Sequence, residues 1–428
     1  MLNRKDPPAL ELIDRLEINN FKTTLLSNNT PVYIVDGVEE DVIKIEWRFN
    51  AGRWYETQPA TARTVLQMMR KGTLQKTAQE IADAIEFYGG DLDFINGQDS
   101  TGIVVFCLKK HLDSILPIVI EILQEASFPE PELQMMIQRQ KQKLRISEKN
   151  TDFYANRAFH RVIFGETHPY GYAVDDTILD NLNTDVLKQY HQQHYKNALS
   201  AIFISGNVSD DIIDILNAHY GKIQTLKKDA LENTIAIETS PEKKIYKQLP
   251  ESVQSSIRIG KIAIPRTHSD FLSYNIMMVI FGGYFGSRLM SNIREEKGYT
   301  YGIHATTSHN RHASYMEINT EVGNEVCEDA IEEIYKEMDL LRNEKVSNEE
   351  LSIVRNYMMG SILRATDGPF NRINIIKNLV LNNMDTSYYD AFVNTLKTIS
   401  PEQIQVMANK YLVKEEMKEV ICGNLPKT

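Results

Sequence analysis

The chain has only three cysteines in 428 residues, Cys107, Cys327 and Cys422, and they stand far apart in apolar or amphipathic segments. That excludes a disulfide framework, and the three read as buried free thiols. Long apolar runs are missing as well. No stretch approaches the roughly 18 residues of a membrane span, and the opening MLNRKDPPALELIDRL is broken by Pro7-Pro8 and carries acids where a secretory leader needs an apolar core. The expected location is the cytoplasm, or the periplasm if a leader has been removed. An excess of positive charge is absent too. With 47 Lys and Arg against 58 Asp and Glu the formal charge is −11, which argues against nucleic acid and anionic membrane as partners, since both require cations to offset phosphate. Basic or net-neutral partners fit better. No H-E-x-x-H, G-x-S-x-G or supported Cys-His arrangement occurs.

What is present is length and internal symmetry. A chain of 428 residues suits two large domains, each able to bury a substantial core. FPEPELQMMIQRQKQKL (128–144) and KVSNEELSIVRNYMMGSIL (345–363) each read as a turn and an acidic start followed by a long amphipathic helix. Placing Leu133 on Leu351 gives an offset of 351 − 133 = 218, and placing Gly206 of AIFISGN on Gly423 of EVICGN gives 423 − 206 = 217. Each half also carries an alternating strand, VIKIEWRF (42–49) or SSIRIGKIAI (255–264), ahead of its helices. The expected fold is α+β: two homologous domains, each a mostly antiparallel sheet covered by helices. The polar tract 225–244 is the linker candidate, dividing the chain into 1–228, a linker at 229–244, and 245–428.

One segment stands out chemically, FGGYFGSRLMSNIREEKGYTYGI (281–303). Gly282, Gly283 and Gly286 allow a sharp turn into a helix that Lys297-Gly298 closes before a strand begins at Tyr299-Thr300-Tyr301. Arg294 in the last helical turn and Tyr301 on the next element can hydrogen-bond one carbonyl or oxyanion between them. On spacing alone the favoured reading is an arginine on a solvated helix face and a tyrosine packed at a strand edge. His191-x-x-His194 and the run His304, His309, His312 lack an acid at ligand spacing and read as ordinary helix-face and loop histidines. His168 reads as a turn residue beside Pro169.

Taken together, LMSNIREEKGYTYGI, with Arg294 and Tyr301 seven residues apart, THPYGY (167–172) and the repeat resemble the pitrilysin/insulinase-type zinc peptidases over essentially the whole chain. The resemblance implies paired α+β domains closing a chamber around an extended peptide, with Gly282, Gly283 and Gly286 beside the substrate. It also implies a first-domain helix reading H-x-x-E-H and ending in a sequence like Lys71-Gly72-Thr73. Counting back from that ending, the two histidine positions fall on Arg63 and Gln67 and the glutamate on Leu66. The third ligand is implied near Leu144, with Glu148 the nearest downstream acid. Zinc needs nitrogen, sulfur or carboxylate donors, and an arginine in a ligand place adds repulsion. This chain is therefore expected to bind no metal or other cofactor, with zinc carried by a partner.

The resemblance implies a division of labour: a zinc-less subunit supplying Arg294 and Tyr301 to a zinc-bearing homologous subunit in a heterodimer, with a homodimer as the other assembly and an extended peptide as substrate. A catalytically inactive pseudo-peptidase, binding peptides or serving assembly, is the alternative.

Overall fold

The computed structural model describes residues 16, 18–196, 198, 201–224 and 235–424. In the first half the strands are β1 (Lys22–Leu25), β2 (Pro31–Asp36), β3 (Val42–Phe49), β4 (Asp91–Ile95), β5 (Thr101–Leu108) and β6 (Ala201–Gly206). Its helices are α1 (Thr61–Met68), α2 (Ala78–Phe87), α3 (Leu112–Glu125), α4 (Glu130–Ser147), α5 (Thr151–Phe164), α6 (Asp176–Asp180), α7 (Thr184–His191) and α8 (Ile212–His219). In the second half β7 (Lys244–Gln248), β8 (Gln254–Ala263), β9 (Thr300–His309), β10 (Ser314–Gly323) and β11 (Lys418–Gly423) are joined by α9 (Phe271–Met278), α10 (Cys327–Asn343), α11 (Asn348–Thr366), α12 (Gly368–Leu381), α13 (Ser387–Thr398) and α14 (Pro401–Tyr411).

The strands form two sheets, ordered β1-β2-β6-β3-β5-β4 and β7-β11-β8-β10-β9. All pairings are antiparallel except β2 with β6 and β7 with β11. The expected α+β architecture is thus present, and the repeat runs through it. Element starts differ by 348 − 130 = 218 for α4 and α11, 368 − 151 = 217 for α5 and α12, 401 − 184 = 217 for α7 and α14, and 418 − 201 = 217 for β6 and β11.

Alternation explains the strands. Ile43, Ile45, Trp47 and Phe49 of β3 are fully buried on one face against α1, α3 and α7. The opposite face is covered by the other half of the chain: α12 packs on β2 and β6, and in mirrored fashion α5 packs on β8 and β11. Each half thus lends its equivalent helix to the other's sheet. Ala201 and Phe203 of β6 join the core of the second half, and Ala155, Phe159 and Val162 of α5 pack with Val420 and Cys422 of β11.

Charged residues meet where the exchanged helices dock. Buried Glu46 on β3 accepts hydrogen bonds from Lys377 of α12 at 2.7 and 3.0 Å. Arg258 on β8 donates to Asp152 of α5 and to Glu317. Glu46 lies opposite Phe203 and Arg258 opposite Val420; since 420 − 203 = 217, the two occupy equivalent places with the charges exchanged. A further link is the β9–β10 turn, where Arg311 donates to the Leu381 carbonyl, Asn50 and Tyr55 while His312 stacks on Trp54 at 3.8 Å. Residues 225–234 of the expected linker lie outside the described residues. The part that follows is no free tether, because Glu238 and Ser240 donate backbone hydrogen bonds to Phe164 and Val162 at the end of α5.

Candidate functional site

The helix expected to carry zinc ligands is α1. It has no side-chain cap of its own, and Ala60 before it adopts φ 68°, a left-handed conformation uncommon outside glycine. A distant carboxylate takes the cap's role: Glu56 Oε1 accepts the Ala62 N–H at 2.7 Å. Tyr172, from THPYGY, donates its hydroxyl to Glu56 and accepts the Ala60 N–H at 3.0 Å, and the Arg53 guanidinium lies 3.4 Å from the centre of the Tyr172 ring. Burial pushes the Glu56 carboxyl up to about 7, against the Tyr172 hydroxyl, the Ala62 N–H and Arg53, which favour its charged form. The THPYGY motif therefore anchors the start of α1. Its His168 accepts the Tyr170 N–H and stacks on Phe164, in keeping with a turn residue.

Along α1, Arg63 points to solvent, Leu66 is buried in the core, and Gln67 is half-buried. The α4 side chain that reaches Gln67 is Gln140, donating from Nε2 to Gln67 Oε1 at 3.1 Å. Leu144 follows one turn later, half-buried, and Glu148 pairs with Arg157 at 3.6 Å. A guanidinium, an alkyl chain and two carboxamides do not fit a zinc ion, which takes imidazole, thiolate or carboxylate donors. Among the described residues, no three His, Cys, Asp or Glu side chains gather as metal ligands would.

The histidines sit apart. His191 bonds the Leu123 carbonyl at 2.9 Å, His194 bonds that of Asn50 at 3.1 Å, and His309 contacts Ser314 Oγ at 3.0 Å, while His304 is exposed on β9. Burial pushes His168, His191 and His309 down to about 4, so they are neutral near pH 7.

The second-half segment is built differently. After α9 the chain widens into the turn Val279–Gly283, reverses at Tyr284–Gly286, and re-enters a helical run that ends in the wide turn Met290–Glu296 and Gly298 at φ 69°. A Cβ on Gly282 would lie 2.5 Å from Ala305 Cβ and 2.6 Å from its backbone nitrogen, so this glycine permits close approach to β9. It is buried there, whereas Gly283 and Gly286 are exposed at the turn. The turn also exposes Phe285, whose ring lies 4.6 Å from Arg294 Cζ.

Arg294 and Tyr301 are brought together. Arg294 Nε donates to the Tyr301 carbonyl at 3.1 Å, and the Tyr301 side chain is 95% exposed. The phenol therefore contributes nothing to a core; its residue is held by a guanidinium through the backbone carbonyl, and both side chains are hydrogen-bond donors of the kind a carbonyl or oxyanion accepts. β9 is the outer strand of its sheet, one edge of which is unpaired among the described residues. Sequence reasoning missed Glu56, Gln140 and Phe285. Only THPYGY, by its two tyrosines, hinted at the first.

Residues 181–358 match the model of the Peptidase M16 inactive domain. That stretch is similar to an M16 inactive domain. M16 comprises the pitrilysin/insulinase-type peptidases that the sequence resembles, and the likeness to M16 proteins extends over most of the chain. An uncharacterized zinc protease, YmxG, of Bacillus subtilis is 24% identical over 367 residues, 84% of this chain and 88% of its own length. A protein named non-peptidase homolog YmxG, from Helicobacter pylori, is 20% identical over 379 residues, covering 87% and 86%. The crystal structure of a peptidase M16 inactive domain from Pseudomonas fluorescens superposes with a TM-score of 0.83 at 22% identity, over 96% of this chain and 99% of that one. A protease from Helicobacter pylori gives a TM-score of 0.83 at 15% identity, over 94% and 99%. These place the M16-like chain in the fold. No helix among its described residues is long and apolar enough to cross a membrane.

Proposed function

We propose that this M16-like chain is the zinc-less subunit of a two-subunit peptidase and lends Arg294 and Tyr301 to a zinc-bearing homologous partner. The observation that carries the reading is the contrast between the two sites: no donor set for zinc on α1 and α4, yet a solvent-presented phenol at the β9 edge whose backbone carbonyl accepts from the Arg294 guanidinium. In this reading an extended peptide lies along the exposed sheet edge as an added strand. Its scissile carbonyl meets the Tyr301 hydroxyl, which stabilises the developing oxyanion, while Arg294 holds the neighbouring backbone. Cleavage then takes place at the partner's metal.

The second reading is an inactive pseudo-peptidase that binds peptides or serves assembly. It is favoured by the absent donors and by the name non-peptidase homolog given to the Helicobacter pylori relative. The deciding experiment is purification from the native source, identification of the co-purifying chain, and a peptidase assay of each chain and of the pair. Activity in the pair alone supports the first reading. A chain recovered alone, with no homologue bound and no activity on mixing, overturns it.

A further inference from the structure

β9 contains one irregularity, and Tyr301 is in it. Ile303 pairs with Thr320 and Thr300 with Val322, so Tyr301 and Gly302 together oppose the single residue Glu321. This is a β-bulge in an edge strand, a device that breaks the ladder locally and re-aims a side chain. Two hydroxyls occupy it. Thr300 Oγ1 donates to the Glu321 carbonyl at 2.7 Å and accepts the Gly302 N–H at 3.1 Å. Thr320 Oγ1, buried on the neighbouring strand, lies 2.9 Å from Thr300 Oγ1 and 3.0 Å from the Gly302 carbonyl. The polar groups that the bulge removes from the ladder are thereby satisfied by side chains, as groups shielded from water must be. On the outer side Arg294 closes the same bulge through the Tyr301 carbonyl.

We infer that Thr300 and Thr320 are positioning residues whose hydroxyls hold this bulge in register and so aim the Tyr301 phenol out of the sheet. The inference rests on the proposed role of Tyr301 for its consequence in turnover, but the geometry can be tested without it. Valine is close to threonine in shape and lacks the hydroxyl, so Thr300→Val and Thr320→Val, singly and together, remove the bonds with little change in volume.

In the chain alone, 3-fluorotyrosine labelling gives a 19F resonance for Tyr301, assigned by its absence in Tyr301→Phe. The double valine variant is expected to shift or broaden that resonance, and Thr300→Ser to leave it in place. An unchanged Tyr301 resonance in the double variant, with the other tyrosine lines showing a folded chain, overturns the inference whatever the activity. In the reconstituted pair, assayed on an internally quenched peptide, each valine variant is expected to lower kcat about 10- to 100-fold with KM little changed, and to add nothing in a Tyr301→Phe background. Losses that add to Tyr301→Phe refute the positioning role. Should Tyr301→Phe leave turnover intact, the two-subunit reading fails and the resonance alone decides the bulge.

Discussion

Removing the charge of Lys377 tests whether the exchanged helix α12 is locked to β3 by a buried pair. Glu46 has a side chain only 2% exposed and Lys377 one 17% exposed, with Nζ at 2.7 Å from the carboxylate. Lys377→Met keeps most of the aliphatic stem and removes the ammonium. Breaking one partner of a buried pair typically costs about 3–5 kcal/mol, because the other charge stays behind unpaired. Here Arg48 remains 3.3 Å from Glu46 and Lys44 at 4.0 Å, so the carboxylate is only partly deserted. Burial itself also disfavours the Lys377 ammonium, which lowers its pKa against the pull of Glu46. Both effects reduce the loss, to about 2 kcal/mol. Glu46→Gln should cost a similar amount by leaving Lys377 and Arg48 crowded without their anion, and the double variant should cost less than the two losses added, with a coupling of at least about 1 kcal/mol. Urea unfolding followed by both far-ultraviolet circular dichroism and tryptophan fluorescence measures all four proteins. Additive losses, or a Lys377→Met chain as stable as the parent, would refute the claim that this pair joins the halves.

Tyr301→Phe should leave the fold and complex formation intact and lower turnover of the reconstituted pair by about a hundredfold to a thousandfold; full activity would return the Arg294–Tyr301 pair to a purely structural status. Metal analysis of the purified chain should find far less than one zinc per chain, and the Arg63→His, Leu66→Glu, Gln67→His variant should still not yield a zinc-dependent peptidase. Because Gln140 is the α4 residue touching Gln67, adding Gln140→Glu to those three should raise zinc affinity more than adding Leu144→Glu; calorimetry showing the reverse order would displace Gln140 from that place. Glu56 has its folded pKa raised to about 7 from 4.5, so its contribution to stability is full below about pH 4.5 and lost as the pH rises through 7. Glu56→Gln should therefore gain on the parent chain between pH 5 and 8, by up to ~3 kcal/mol, and a difference that does not change with pH would contradict this.

The repeat and the α+β character were legible because each depends on local amphipathic period: β3 alternates, α4 and α11 begin with acids after a turn, and the offsets near 217 recur at element after element. The proximity of Arg294 to Tyr301 was legible for the same reason, since a helix end and the next strand start are seven residues apart. What the sequence left hidden depends on long-range packing. An amphipathic stripe on α5 or α12 says that a sheet will be covered but not whose sheet. The contact of Gln140 with Gln67 is set by how two helices cross, so a family spacing of residues pointed to Leu144 instead. Glu56 and Tyr172 are 116 residues apart, and the bulge at Tyr301 exists only in register with β10. The freedom of Gly282 is visible in sequence, whereas Ala305, the neighbour that its close approach to β9 requires, is not.

The two halves of the candidate site also stand differently toward stability, and that bears on the proposed division of labour. α1 needs no metal to hold it. Its start is fixed by Glu56 and Tyr172, Gln67 is bridged to α4, and Leu66 is buried where the motif would put a glutamate; a buried leucine is worth about 2 kcal/mol of transfer free energy. The fold thus gains from a leucine at that position. The Arg294–Tyr301 side offers no such return. A phenol that is 95% exposed buries almost no apolar area, and a bulge forgoes ladder hydrogen bonds that two threonines must replace. Phe285 is a second large aromatic, exposed to 63%, and its ring lies over the Arg294 guanidinium. Stability gives no reason for two large exposed aromatics, one on an edge strand and one in the turn over Arg294, and a peptide covering them under the proposed function would.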